Sequence, residues 1–149
     1  MNDVDVHSKD AENNPFIKLF VNLVDETAGE GVLDFRDLQA RPFMKYWQHF
    51  ILYRYQPDID DFSIRMFGTH LVDMIGKDCT GGLMSEIGLS TSFHTLYDIN
   101  IRVISENIRI FTSGTLFWQN REHKQWHSVK MPIRRNGQVN EVLACHLFL

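Results

Sequence analysis

Apolar residues in the first third of the chain recur at helical spacing, and in the last third they alternate or run together. After the polar stretch 1–14, Asn14-Pro15 reads as an N-cap followed by proline at the first helical position. Phe16, Leu19, Phe20, Leu23 and Val24 then form a stripe that Gly29 and Gly31 bring to an end. The pattern predicts a disordered leader over 1–14 and a helix over 15–32. From Leu33 to Trp47 it is mixed, and Arg41-Pro42 disfavours continuous helix, so a short helical segment and a connector are expected. Gln48 to Tyr55 is rich in aromatic and β-branched residues. Past the polar turn Gln56-Pro57-Asp58, Phe62, Ile64 and Met66 alternate with Ser63 and Arg65. These two segments predict an antiparallel hairpin.

Leu71 to Ile75 makes a short helical turn closed by Gly76, and Leu83 to Ile87 makes another. Ser92 can cap a longer helix whose stripe runs Phe93, Leu96, Tyr97, Asn100, Ile101 and Ile104, with Asn100 its single polar member. Ile108 to Trp118, Gln125 to Ile133 and Val139 to Leu149 read as three strands, the last two joined by the strong turn signal Asn136-Gly137. In the final segment both alternating sets are largely apolar, which predicts a central strand covered on both faces.

At 149 residues the chain suits one domain with one sizeable core, able to bury roughly two-thirds of its unfolded surface. Hydrophobic residues make up 44% and charged residues 23%, values of a folding chain. Fifteen basic against nineteen acidic residues leave a net charge of -4, and the densest basic stretch, Arg134-Arg135 beside Lys130, is too short to track a phosphate backbone. No nucleic-acid partner is expected. No apolar run spans a membrane and no signal sequence is evident, so a cytoplasmic location is expected. Cys79 and Cys145 have neither disulfide nor zinc spacing. His123 and His127, the one histidine pair at i, i+4, fall on a turn and strand, so no metal site is expected.

Phe62-Ser63-Ile64-Arg65-Met66-Phe67-Gly68-Thr69 leading into Gly76-Lys77-Asp78-Cys79-Thr80-Gly81 resembles a bacterial PAS family, in which a strand with an Arg runs into Gly-Thr and then into a Gly-x-Asp-x-Thr-Gly box. Met131-Pro132-Ile133, Asn136-Gly137 and Val139 to Leu143 resemble that family's closing hairpin. The element order, two strands, short helices, a longer helix and three strands, is also that of the PAS fold. The resemblance spans about Leu33 to Leu149. It departs at Glu106-Asn107-Ile108, where a proline is expected. The resemblance implies an α+β PAS fold over 33–149, a five-stranded antiparallel sheet with short helices and one longer helix on one face, flanked by the N-terminal helix. Met74, Phe93, Tyr97 and Ile104 are expected to pack on that face.

The implied function is that of a stand-alone sensory module without an output domain. It would receive a small ligand or a signalling protein and act through protein contacts rather than as an enzyme. Met66, Met74, Met84, Phe93, Tyr97, Trp118, Met131 and Cys145 lie on the elements that enclose a PAS pocket, and thioether and aromatic side chains adapt to an apolar guest. The stripe Phe16, Leu19, Phe20, Leu23 and Val24 is expected to pair two copies of the chain, since PAS domains pair through such helices; its alternative is a cap on the chain's own sheet. Haem-bearing relatives place a ligand histidine near His94, and light-oxygen-voltage flavin domains place their cysteine near Cys79. The latter continue Arg-Phe-Leu-Gln where this chain has Thr80-Gly81-Gly82-Leu83, and neither cofactor is expected. The box itself reads as a structural turn. The other reading of the function is a small α+β cone hydrolase or isomerase, which needs a buried, pKa-perturbed Asp or His facing a cavity.

Overall fold

The computed structural model of the protein describes residues 4–87, 93–116 and 121–149. Its sheet has the strand order β1-β5-β6-β7-β3-β4, with β2 attached to β6. The long strands are β3 (Phe50–Gln56), β4 (Asp61–Phe67), β5 (Ile110–Leu116), β6 (Arg121–Arg135) and β7 (Gln138–Phe148), which pair with one another antiparallel throughout. Two further strands make the sheet seven-stranded rather than five-stranded. β1 (Asp5–Val6) adds antiparallel to β5, and β2 (Leu33–Asp34) adds parallel to β6. Each is two residues long and satisfies backbone groups that a neighbouring strand would otherwise leave unpaired. The architecture is α+β.

Local chemistry accounts for the turns. Asn136 and Gly137 both take positive φ (53° and 78°), as a two-residue hairpin between twisted strands requires. Asn107, also left-handed at φ 53°, follows α4 (Phe93–Glu106) where the resemblance calls for proline. In the box, Asp78 Oδ1 accepts from Thr80 N (3.0 Å) and from Thr80 Oγ1 (2.7 Å). The loop then docks on the edge of β4 through Gly81 N to Ile64 O and Ile64 N to Gly82 O, both 2.8 Å. The box is a structural turn that extends the sheet edge.

The sheet is covered on both faces. On the inner face α4, α3 (Thr69–Ile75) and the 3-10 turn Met84–Glu86 bury Leu71, Met84, Leu96, Ile99 and Val103 against Ile51, Tyr53, Ile64, Ile110, Val142 and Ala144. On the outer face α2 (Pro15–Ala28) and the 3-10 segments Phe35–Gln39 and Arg41–His49 pack on Phe50, Leu52, Val129, Met131, Ile133, Leu143 and Cys145. β7 is central, as its doubly apolar pattern requires.

Two expectations are corrected here. Residues 4–14 are ordered: Ser8 N donates to Phe111 O (2.9 Å), Ser8 caps α1 (Lys9–Asn13), and Ala11 is wholly buried. A polar composition did not make a disordered leader, because the segment supplies edge pairing for β5. The α2 stripe is also rotated from the one expected. Ile17, Phe20 and Val24 are sealed against the chain's own outer face, Phe16 and Leu23 only flank them, and Leu19 is 62% exposed. Phe20 and Val24 are therefore spent within one chain and cannot form a dimer seam. The helix is an intramolecular cap because the outer face, apolar across β3, β6 and β7, needs one.

Candidate functional site

The sheet divides the expected pocket residues between two sides. Met84, Phe93 and Tyr97 belong to the inner core. Met131 and Cys145 are buried in the outer core, and Met66 is packed against it beside Met44 and Trp47. Met74 is half-buried on α3, and Trp118 lies outside the described residues. The residues on opposite faces cannot line one pocket. The error is one residue of strand register, since successive side chains point to opposite faces. The immediate neighbours of Met131 and Cys145, Lys130 and His146, are the ones that face inward.

Those neighbours make a polar patch in the inner core. Lys130 sits on β6 between Ile110 of β5 and Ala144 of β7, with 1% of its surface exposed. Its ammonium donates to Asn100 Oδ1 of α4 at 2.9 Å and lies 5.1 Å from the centre of the Tyr53 ring. Asn100 Nδ2 in turn faces Met84 Sδ at 3.5 Å. One same-face step along the sheet, Thr112 and Ser128 share a hydroxyl hydrogen bond of 2.5 Å, and His146 stands opposite Ser128. The His146 ring stacks on Phe148 and meets Trp126 edge-on. Both of its nitrogens are sealed from solvent with no hydrogen-bond partner among the described residues.

Burial sets the charges. It pulls the Lys130 pKa down to about 7. It pulls His146 down to about 3, helped by the nearby Lys130, His49 and His70, so this imidazole is neutral. The buried carboxylates are committed elsewhere. Asp61 accepts from Phe62 N and Ser85 Oγ, and Glu141 faces outward to Arg54 and Arg135. Among the described residues no carboxylate pairs with Lys130.

The residues singled out for cofactors are placed differently. His94 is exposed on α4 with its ring against Phe93. Cys79 is buried in the inner core, and burial raises its thiol, the opposite of what a reactive thiolate needs. Tyr97 stands at the rim, half-buried. Its ring packs edge-on to Phe62, and its hydroxyl, like that of Tyr55 at 2.6 Å, donates to Asp60 Oδ1. Among the described residues no group of three or more His, Cys, Asp or Glu is placed to hold a metal, and no helix is long and apolar enough to cross a membrane.

Of the interior polar residues, sequence reasoning marked only Asn100. Its place beside Arg134-Arg135 gives Lys130 the look of a surface charge, although a lysine inside Val129 to Ile133, a run apolar on either side of it, is the available signal.

No family model and no curated protein matches the chain. A solved structure does: a domain of HTR-like protein from Haloarcula marismortui ATCC 43049, with a TM-score of 0.53 and 8% sequence identity, covering 67% of this chain and 95% of that one. At that identity the two chains share a fold.

Proposed function

We propose that the protein is a PAS-type sensory domain that receives a small molecule between α4 and the inner face of the sheet and passes the change on through protein contacts. The carrying observation is the buried Lys130–Asn100 pair beside His146. A domain core that served only to hold the fold together gains nothing from an ammonium and an unpartnered imidazole, whose desolvation is costly. Such groups fix orientation and specificity in an otherwise apolar ligand site. The fold shared with the HTR-like domain is compatible with a sensory role.

One observation favours the enzyme reading: His146 is a buried, pKa-perturbed histidine next to a lysine. Against it, a general base needs an orienting partner and a pKa near the working pH. His146 has no hydrogen-bond partner among the described residues, and its pKa is far below neutrality. Holding a ligand asks for neither. Native mass spectrometry of protein purified from its own host, compared with the denatured mass, tests the reading: a retained small molecule is expected. Identical masses, together with no change in hydrogen exchange of α4 on incubation with host metabolite extract, would remove it.

A further inference from the structure

We propose that the interior between α4 and the sheet binds a small monocarboxylate, with the carboxylate on the Lys130 ammonium and the organic body among the inner-core aromatic and aliphatic side chains. The inference rests on the sensory reading and adds the chemical class of the ligand. Lys130 carries three N–H donors, and Asn100 takes one of them. Among the described residues no carboxylate approaches, so an anion brought in by a ligand is the missing partner. A carboxylate at this depth also meets the neutral His146 imidazole, which offers one N–H donor. The Thr112 and Ser128 hydroxyls lie in the same cross-strand row as His146, one same-face step from the row of Lys130.

Charge matching selects the class. One buried cation is neutralised by one negative charge, whereas a phosphate dianion would leave a net charge in the low-dielectric core and an organic cation would add to the one present. A neutral ligand would leave the ammonium as it is. The surrounding inner-core side chains are apolar, with Tyr53, Met84, Leu96 and Phe148 among them, and they suit a hydrocarbon or aromatic body. The titratable groups near Lys130 are His146 on β7, Tyr53 on β3 and, beyond Tyr53, the Cys79 thiol. Burial holds Tyr53 and Cys79 in their neutral forms at neutral pH, so they do not compete for the anion. An anion favours the protonated amine, so binding takes up a proton wherever the free site is deprotonated.

The test is calorimetry with acetate, butyrate and benzoate, each against its amide (acetamide, butyramide, benzamide), on the wild-type chain and on Lys130→Met. At least one carboxylate should bind wild type tenfold or more tightly than its amide. Lys130→Met should weaken that carboxylate tenfold or more and leave the amide unchanged. On wild type alone, titration in two buffers of different ionisation enthalpy should show about 0.9 proton taken up per carboxylate at pH 8 and about 0.1 at pH 6, given a lysine pKa of about 7. The proton count stands even if the variant does not fold. Carboxylates and amides of equal affinity, or an uptake that does not change with pH, overturn the charge assignment while leaving the interior a ligand site. No binding by any of the six compounds overturns this proposal, and identical native and denatured masses, together with unchanged hydrogen exchange of α4 in host metabolite extract, would then remove the sensory reading as well.

Discussion

The ammonium of Lys130 and the side-chain carbonyl of Asn100 meet at 2.9 Å, and neither side chain reaches water. Burial lowers the lysine from an ordinary 10.5 to about 7. Between about pH 7 and pH 10.5 the unfolded chain therefore binds a proton that the folded chain does not, and this group's contribution to stability rises with pH across that window. Below pH 7 both states hold the proton and the penalty of burying the charge is complete. Lys130→Met should thus be more stable than wild type at pH 6, with its advantage shrinking steadily toward pH 10, because other titrations cancel in the difference. Urea denaturation of both proteins at pH 6, 8 and 10 measures it; a constant difference would mean that the lysine is not desolvated.

Gly114 lies directly beneath Trp126. A methyl group added at Gly114 would stand 2.5 Å from Trp126 Cζ2. The ring is buried and shares its face with His146, so it cannot swing outward without disturbing the polar patch. Gly114→Ala should destabilise the fold by about 1–3 kcal/mol, as overpacking does, and change the near-ultraviolet circular dichroism of the tryptophan. An unaltered melt would show that the ring relocates freely.

Glu141 is wholly buried, and Arg54 and Arg135 reach it from half-exposed positions, Arg135 through two bonds of 2.6 and 3.1 Å while stacking on Phe35. The carboxylate is the group that water cannot rescue. Arg135→Met, which leaves it with Arg54 alone, should cost about 3 kcal/mol. Glu141→Gln, which leaves two guanidinium groups that water can solvate, should cost less, about 1–2 kcal/mol. Chemical denaturation of the two variants gives the order directly, and the reverse order would place the desolvated charge on the arginines.

Helix α2 yields a contrast between neighbours. Phe20 meets Phe43, Tyr46 and Phe50 edge-on at 5.1–6.3 Å, while Leu19 beside it is 62% exposed. Phe20→Ala should cost about 3–5 kcal/mol, and Leu19→Glu should stay within about 0.5 kcal/mol of wild type. Equal losses for the two in thermal melts would mean that the stripe is buried in the register first expected from the sequence, with Leu19 at its centre.

Local signals carried by the residues themselves determined the elements of this protein. Asn14-Pro15 set the start of α2, Asn136-Gly137 the last hairpin, Gly76 the end of α3, and the two-sided apolar pattern of Val139 to Leu149 a central strand. Each is a short-range effect, a cap, a positive φ or a period, and needs no distant partner. Which face of the sheet a strand residue occupies was decided only by the tertiary structure. Where both faces are buried, an apolar residue on one is indistinguishable from its neighbour on the other. Met131 and Cys145 therefore read as inner-face residues as readily as Lys130 and His146, until α4 laid Asn100 over one face and α2 closed the other. Depth was undecided for the same reason. A lysine counted along the chain is a surface charge by default, and only the pairing of β6 with strands on both sides, beneath a helix, removes it from water.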